Sequence, residues 1–236
     1  MSLDFESSNS ERVDLGGWHG FQNATGATAM CWCSTESLPS ACLFAWSANG
    51  DLSLRGILIQ IDDTTDFYQA GGRRPDGTSF ISGNASVGAS VGALTHVCGV
   101  YGYNTQSLIC YVNGVNVGSQ SPAGWTGAQT NSPSLAAAIG SPPAQTNTFY
   151  DGRLADVRGY TRALSAEEVA IIYQSRGRDG IVDGLVNRWL LTEGYPGQSA
   201  SGAGSVRDVA EYGDHGTPLN TPTWDEFLVA PRRRAA

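Results

Sequence analysis

The run Leu108-Ile-Cys-Tyr-Val-Asn-Gly-Val-Asn-Val117 decides the fold class. An apolar stretch leads into Asn113-Gly114, and alternating residues lead out of it. Asn-Gly supplies the positive φ angles that a two-residue hairpin turn requires, so the run reads as two antiparallel strands. The same grammar extends in both directions. Short apolar runs separated by turn residues recur at Ser2–Glu6, Arg12–Leu15, Ala27–Cys33, Cys42–Ala48, Gly56–Asp62, Phe67–Ala70, Leu94–Tyr101, Leu135–Ile139 and Gly152–Tyr160. They are rich in Val, Ile, Tyr, Phe and Trp, and several alternate with period two. Many short strands with frequent turns point to a sandwich or barrel.

One segment breaks the pattern. Ser165 precedes Ala-Glu-Glu168, a Ser-x-x-Glu capping box. Val169, Ile172 and Tyr173 then share one face at helical spacing, and Gly177 follows as a stop. A single short amphipathic helix is expected there, laid against the sandwich.

Composition narrows the function classes. The 236 residues carry 22 acidic and 14 basic side chains, every basic one an Arg, for a formal charge of −8. That balance argues against general nucleic-acid binding and against anionic membranes. No run of about 18 apolar residues occurs, so no membrane insertion is expected. The opening MSLDFESSNSERVDL has neither a basic n-region nor an apolar h-region. No signal peptide is read there, and synthesis in a cytoplasm is expected. Cys31, Cys33, Cys42, Cys98 and Cys110 are odd in number and sit in strand-like runs. They read as buried reduced thiols rather than a disulfide framework.

Taken as an ordered set, these pieces resemble the laminin-G-like, concanavalin A-like jelly-roll family. Leu94–Tyr101 with Leu108–Val115 resembles its central strand pair, and Ile139-Gly140 with Phe149-Tyr-Asp-Gly152 its next strand and turn. Asp156–Val169 resembles its closing strand and helix, and Ser2–Phe5 with Arg12–Leu15 its opening strands. The resemblance implies an all-β fold: a two-sheet antiparallel jelly-roll sandwich with one short amphipathic helix. Gly184–Glu193, Asp208, Gly213–Thr217 and Pro222-Thr-Trp224 resemble a segment that the family carries before its opening strands. Here it follows the helix, so the order looks circularly permuted. One domain is therefore expected over 1–229, with a core over 2–175, a completing tail over 184–227 and a basic end over 230–236. The tail either completes its own sandwich, the favoured reading, or completes a neighbour's.

The chemistry-bearing residues are sparse. No Glu-x-Asp-x-x-Glu pattern is present, and Glu167 with Glu168 is explained by the helix start. His19, His96 and His215 are far apart and lack metal-ligand spacing. No nucleophile elbow, phosphate loop or dinucleotide fingerprint occurs, so no enzyme activity is expected. Asp62, Asp63 and Asp66 crowd one turn. A solvated turn is the favoured reading, and Ca²⁺, which takes six to eight oxygen ligands, is the alternative. No other cofactor is expected. Trp32, Trp46 and Trp189 lie in apolar strand contexts and read as core. Trp18, Trp125 and Trp224 lie in loops, and Trp18 and Trp125 are the candidate glycan contacts. Arg232, Arg233 and Arg234 form a charge run suited to an acidic neighbour.

The function expected from these features is non-enzymatic. The leading reading is a surface accessory protein of a virus particle, such as a phage head-decoration or tail component, placed on the virion after cytoplasmic synthesis. Its partners would be a capsid or tail shell and further copies of the chain as a homo-oligomer. The alternative is a lectin-like carbohydrate-binding module, with Ca²⁺ as an aid.

Overall fold

The computed structural model describes residues 1–17, 20–21, 24–38, 41–48, 56–62, 64–73, 80–121, 135–143, 148–210 and 213–226. Among these residues lie fifteen strands and one α-helix. The strands up to the helix are β1 (Ser2–Phe5), β2 (Arg12–Asp14), β3 (Gly26–Thr35), β4 (Ala41–Ala48), β5 (Gly56–Ile61), β6 (Phe67–Arg73), β7 (Phe80–Gly88), β8 (Thr95–Gly102), β9 (Ser107–Val112), β10 (Val115–Gln120), β11 (Leu135–Ile139) and β12 (Gly152–Tyr160). Helix α1 (Ala166–Ser175) follows, then β13 (Leu185–Trp189), β14 (Thr217–Leu219) and β15 (Thr223–Asp225).

They form two antiparallel sheets packed as a jelly-roll sandwich. The first runs β10-β9-β8-β3-β12-β1-β15, with β13 also on β12. The second runs β14-β2-β11-β4-β5-β6-β7. Alternation along the strands builds the core. In β3, Ala27, Ala29, Cys31 and Cys33 face the second sheet, as do Val97 and Tyr101 of β8 and Leu108, Cys110 and Val112 of β9. They meet Phe44, Trp46, Ile57, Ile59, Ile61, Tyr68 and Ala70 from the second sheet. The five Cys are buried and free, as their strand contexts suggest.

The opposite face of the first sheet is also apolar, because α1 covers it. Met30, Cys98, Val100, Tyr111 and Tyr160 pack with Val169 and Ile172 of the helix. A strand buried on both faces reads as a near-continuous apolar run, and β8 and β3 do so. The helix begins with the anticipated capping box: Ser165 Oγ accepts from Glu168 N, and Ser165 N donates to Glu168 Oε2 at 2.9 Å. Arg162 grips the same carboxylate at 2.6 and 2.8 Å. The helix stops at Arg176, in the left-handed region with φ 49°, followed by Gly177 with φ 78°.

The tail pairs with the strands that open the chain. A bulge in β12 follows Ala155, and Asp156 takes φ 46°. On one side of the bulge, Leu154 pairs with Leu3 of β1. On the other, Val157 pairs with Trp189 of β13. Trp224 of β15 pairs with Leu3, and Thr217 of β14 pairs with Asp14 of β2. Thus β14 and β15 lie in different sheets, and Ser2 Oγ donates to the Glu226 carbonyl at 3.1 Å. The first and last described strands are neighbours, which is the geometry a circular permutation produces.

Two clusters fix the tail. Around the bulge, the buried Arg158 pairs with Asp156 at 2.7 Å and Asp179 at 3.0 Å, while Arg188 from β13 reaches Asp156 at 2.6 Å. Burial alone would raise the Asp156 pKa, but the Arg158 and Arg188 guanidiniums hold it below the usual range. Further along, the Asp208 carboxylate accepts from Arg188 N, Asn187 Nδ2, Ala210 N and Asp214 N at 2.7–3.1 Å.

Candidate functional site

A groove opens where α1 ends above the first sheet. Trp32 is its base. Because Cys31 and Cys33 turn into the core, the intervening Trp32 points to the helix side. Across the sheet it pairs in register with His96 of β8. The Trp32 and His96 rings lie 5.1 Å apart, centroid to centroid. From above, Tyr173 in the last turn of α1 stacks on Trp32 at 5.6 Å, with the planes inclined by 23°.

The β9–β10 turn holds Tyr173 in place. Asn113 and Gly114 take φ 52° and 78°, as the Asn-Gly dipeptide implied. A Cβ on Gly114 would lie 3.0 Å from Tyr173 Cδ1, so glycine leaves the space that the ring occupies. Asn113 also ties the turn to β8. Its Oδ1 accepts from His96 N at 2.9 Å, and its backbone N donates to His96 O at 2.8 Å.

Leu94, Gln174 and Arg176 complete the lining with Trp32 and Tyr173, around a volume of about 380 Å³. That falls at the lower end of the roughly 300–1,000 Å³ usual for small-molecule sites. Trp32 is only 3% exposed, and its indole Nε1 has no hydrogen-bond partner. His96 Nδ1 is buried and equally unpartnered. Burial, then the Arg158 charge, lowers the His96 pKa to about 4, so its ring is neutral at neutral pH. The groove therefore combines aromatic surface, an amide and one guanidinium. These groups suit a small polar ligand with apolar C–H surface.

A second group lies at the seam where the chain ends meet. Carboxylate oxygens of Asp4, Glu6 and Glu36 fall within 4.8 Å of one another. Arg153 pairs with Glu36 at 3.2 Å and with Asp225 at 2.5 Å. Burial, then the Glu36 charge, raises Asp4 to about 6.

The residues singled out in the sequence are distributed differently. Trp18, Trp125, Asp63, Arg232, Arg233 and Arg234 lie outside the described residues. Asp62 and Asp66 sit in the β5–β6 hairpin loop. Asp62 Oδ1 accepts from Thr64 N, Thr65 N and Thr65 Oγ1 at 2.8–3.2 Å, the pattern of a carboxylate organising its own turn. Trp46 and Trp189 are core, as expected. Trp224, read from sequence as a loop residue, is buried in β15. Trp32 is buried too, but outside the inter-sheet core. Sequence reasoning missed the groove because it placed Trp32 in the core and Tyr173 on the packing face of the helix. A signal was available: a strand that sends Cys31 and Cys33 one way sends Trp32 the other. His215 accepts from Asp208 N at 3.2 Å, within its own tail loop.

Comparison with known proteins fits this architecture. The family model described as the concanavalin A-like lectin/glucanases superfamily matches residues 7–170. The chain belongs to that superfamily, and β13 to β15 lie beyond the matched residues. Among solved structures, one similar protein is from Bacteroides ovatus, provisionally described as carbohydrate binding, with TM-score 0.67 and 17% identity. The match covers 94% of this chain and 60% of that one, so this chain spans less than two thirds of its length. The CBM40 of a Ruminococcus gnavus sialidase, bound to α2,3 sialyllactose, matches with TM-score 0.58 and 13% identity over 73% of this chain and 96% of its own. Domain 4 of the Geobacillus stearothermophilus arabinanase AbnA, in complex with arabinotriose, gives TM-score 0.51 and 16% identity over 64% and 68%. A search of curated proteins finds no match.

Proposed function

We propose that this chain is a non-catalytic carbohydrate-binding module that takes a short saccharide in the Trp32–Tyr173 groove. The observation that carries the reading is the groove itself: stacked aromatic rings beside an amide and a guanidinium. Sugar rings present C–H surface and hydroxyls together, and both kinds of partner are present here. The superfamily, and relatives solved with arabinotriose and sialyllactose, support the same reading. The non-catalytic part rests on the lining. No carboxylate lines the groove among the described residues, whereas glycoside hydrolysis generally uses a pair of them. The virus-particle reading formed from the sequence has no comparable support, since none of these relatives is a particle component.

The test is a saccharide panel against the purified chain, followed by titration of the best binder into Tyr173→Ala. Saturable binding that weakens about tenfold in the variant is expected, in keeping with the loss of an aromatic contact and its shape. A chain that retains no saccharide, or a variant that binds as well as the parent, overturns the proposal.

A further inference from the structure

The groove carries a charge that the rest of the molecule does not account for. Resting on the glycan-binding reading, we infer that its ligand is an acidic saccharide whose carboxylate is held by Arg176.

Arg153, Arg158, Arg162 and Arg188 are each paired with a carboxylate. Arg176 lines the groove, and among the described residues no carboxylate lies within ion-pair reach of it. The chain as a whole has 22 acidic side chains against 14 Arg. Against that background, a groove whose lining among the described residues holds one guanidinium and no carboxylate is a local positive site in a negative molecule. The guanidinium fork matches a planar carboxylate with two parallel hydrogen bonds.

Position gives the second argument. Arg176 closes the helix at φ 49°, one turn beyond Ile172 and three residues after Tyr173, and its backbone N–H donates to the carbonyls of both. The helix end therefore fixes the spacing between the aromatic wall and the cation. A sugar ring set against Tyr173 in this groove has the Arg176 guanidinium, part of the same lining, as the partner for its carboxylate.

The experiment compares two ligand pairs that differ only at C6: oligoglucuronate with oligoglucose, and oligogalacturonate with oligogalactose. Each is titrated into the full chain and into Arg176→Gln, with thermal melting as a check that the variant is folded. For at least one pair, the acidic member should bind about tenfold or more tightly than its neutral counterpart, the size of a charge-assisted hydrogen-bonding pair. In Arg176→Gln that ratio should collapse to about one. Equal affinity for acidic and neutral members in the parent chain, or a preference that survives in Arg176→Gln, overturns the inference and leaves glycan binding standing. Binding of neither member of either pair overturns the acidic-sugar inference. A wider panel that also finds no binder overturns the glycan reading beneath it.

Discussion

Tyr173 and Trp32 stack across the boundary between the helix and the sheet, 5.6 Å apart and inclined by 23°. Neither ring is in the inter-sheet core, so their contact depends on the helix, β3 and the β9–β10 turn keeping register with one another. The β9–β10 turn is the most exposed of the three supports to a single substitution. Gly114→Ala places a Cβ against Tyr173 at a backbone φ of 78°. The expected cost is about 1–2 kcal/mol of stability, from the left-handed backbone and the crowded ring. Ligand affinity should fall with it. Urea unfolding and a saccharide titration of the same variant check both.

A large part of the fold is legible in the sequence, and the reasons are local. Asn113-Gly114 and the Ser165–Glu168 box are chemical devices with one favoured geometry each, and both occur as read. The strands β7, β14 and β15 did not stand out. Phe80–Gly88 is rich in Gly and Ser, and Thr217–Leu219 with Thr223–Asp225 are three-residue pieces stabilised by distant partners. The groove was hidden for a related reason. Apolar character identifies burial but not which face does the burying, and Trp32 is buried by a helix that lies about 140 residues away in sequence.

The tail should be sensitive at Asp208. Its carboxylate accepts from two side- and main-chain donors on β13 and two amides in its own loop. Asp208→Ala leaves several of these unsatisfied, and a loss of about 2–4 kcal/mol is expected. Limited proteolysis should then cut first between β13 and β14, at a rate well above that of the parent chain.

Asp4 predicts a pH dependence of stability. Burial, then Glu36, raises its pKa from 3.8 to about 6 in the folded chain. A carboxyl with a raised folded pKa weighs against the fold when ionised, so the penalty is full above that value. It fades as pH falls through the folded pKa and vanishes below the unfolded one. Asp4→Asn should therefore melt a few degrees higher than the parent near neutral pH, with the difference gone below about pH 4. Thermal melts of both proteins across that range check the sign.

Thr221 offers a stabilising substitution. Asn220 and Thr221 both take φ 61° between β14 and β15, and Asn220 Nδ2 donates to Ser10 O at 2.9 Å. A left-handed backbone is unfavourable for a β-branched residue. Thr221→Gly should raise stability by about 1 kcal/mol, the scale of relieving one such position. A chemical denaturation midpoint that stays put would show the turn to be unstrained.

The central claim is that a saccharide enters the Trp32–Tyr173 groove, and the Trp32 indole N–H reports on it directly. With uniform ¹⁵N labelling, each of the six Trp indoles contributes one N–H signal, and Trp32→Phe identifies the one in question. Titration of the best binder from the saccharide panel should move the Trp32 signal saturably, with an affinity matching calorimetry, because the ring lines the groove and its N–H senses a changed neighbour. A Trp32 signal that stays fixed while the saccharide binds would place recognition elsewhere on the molecule and contradict the account.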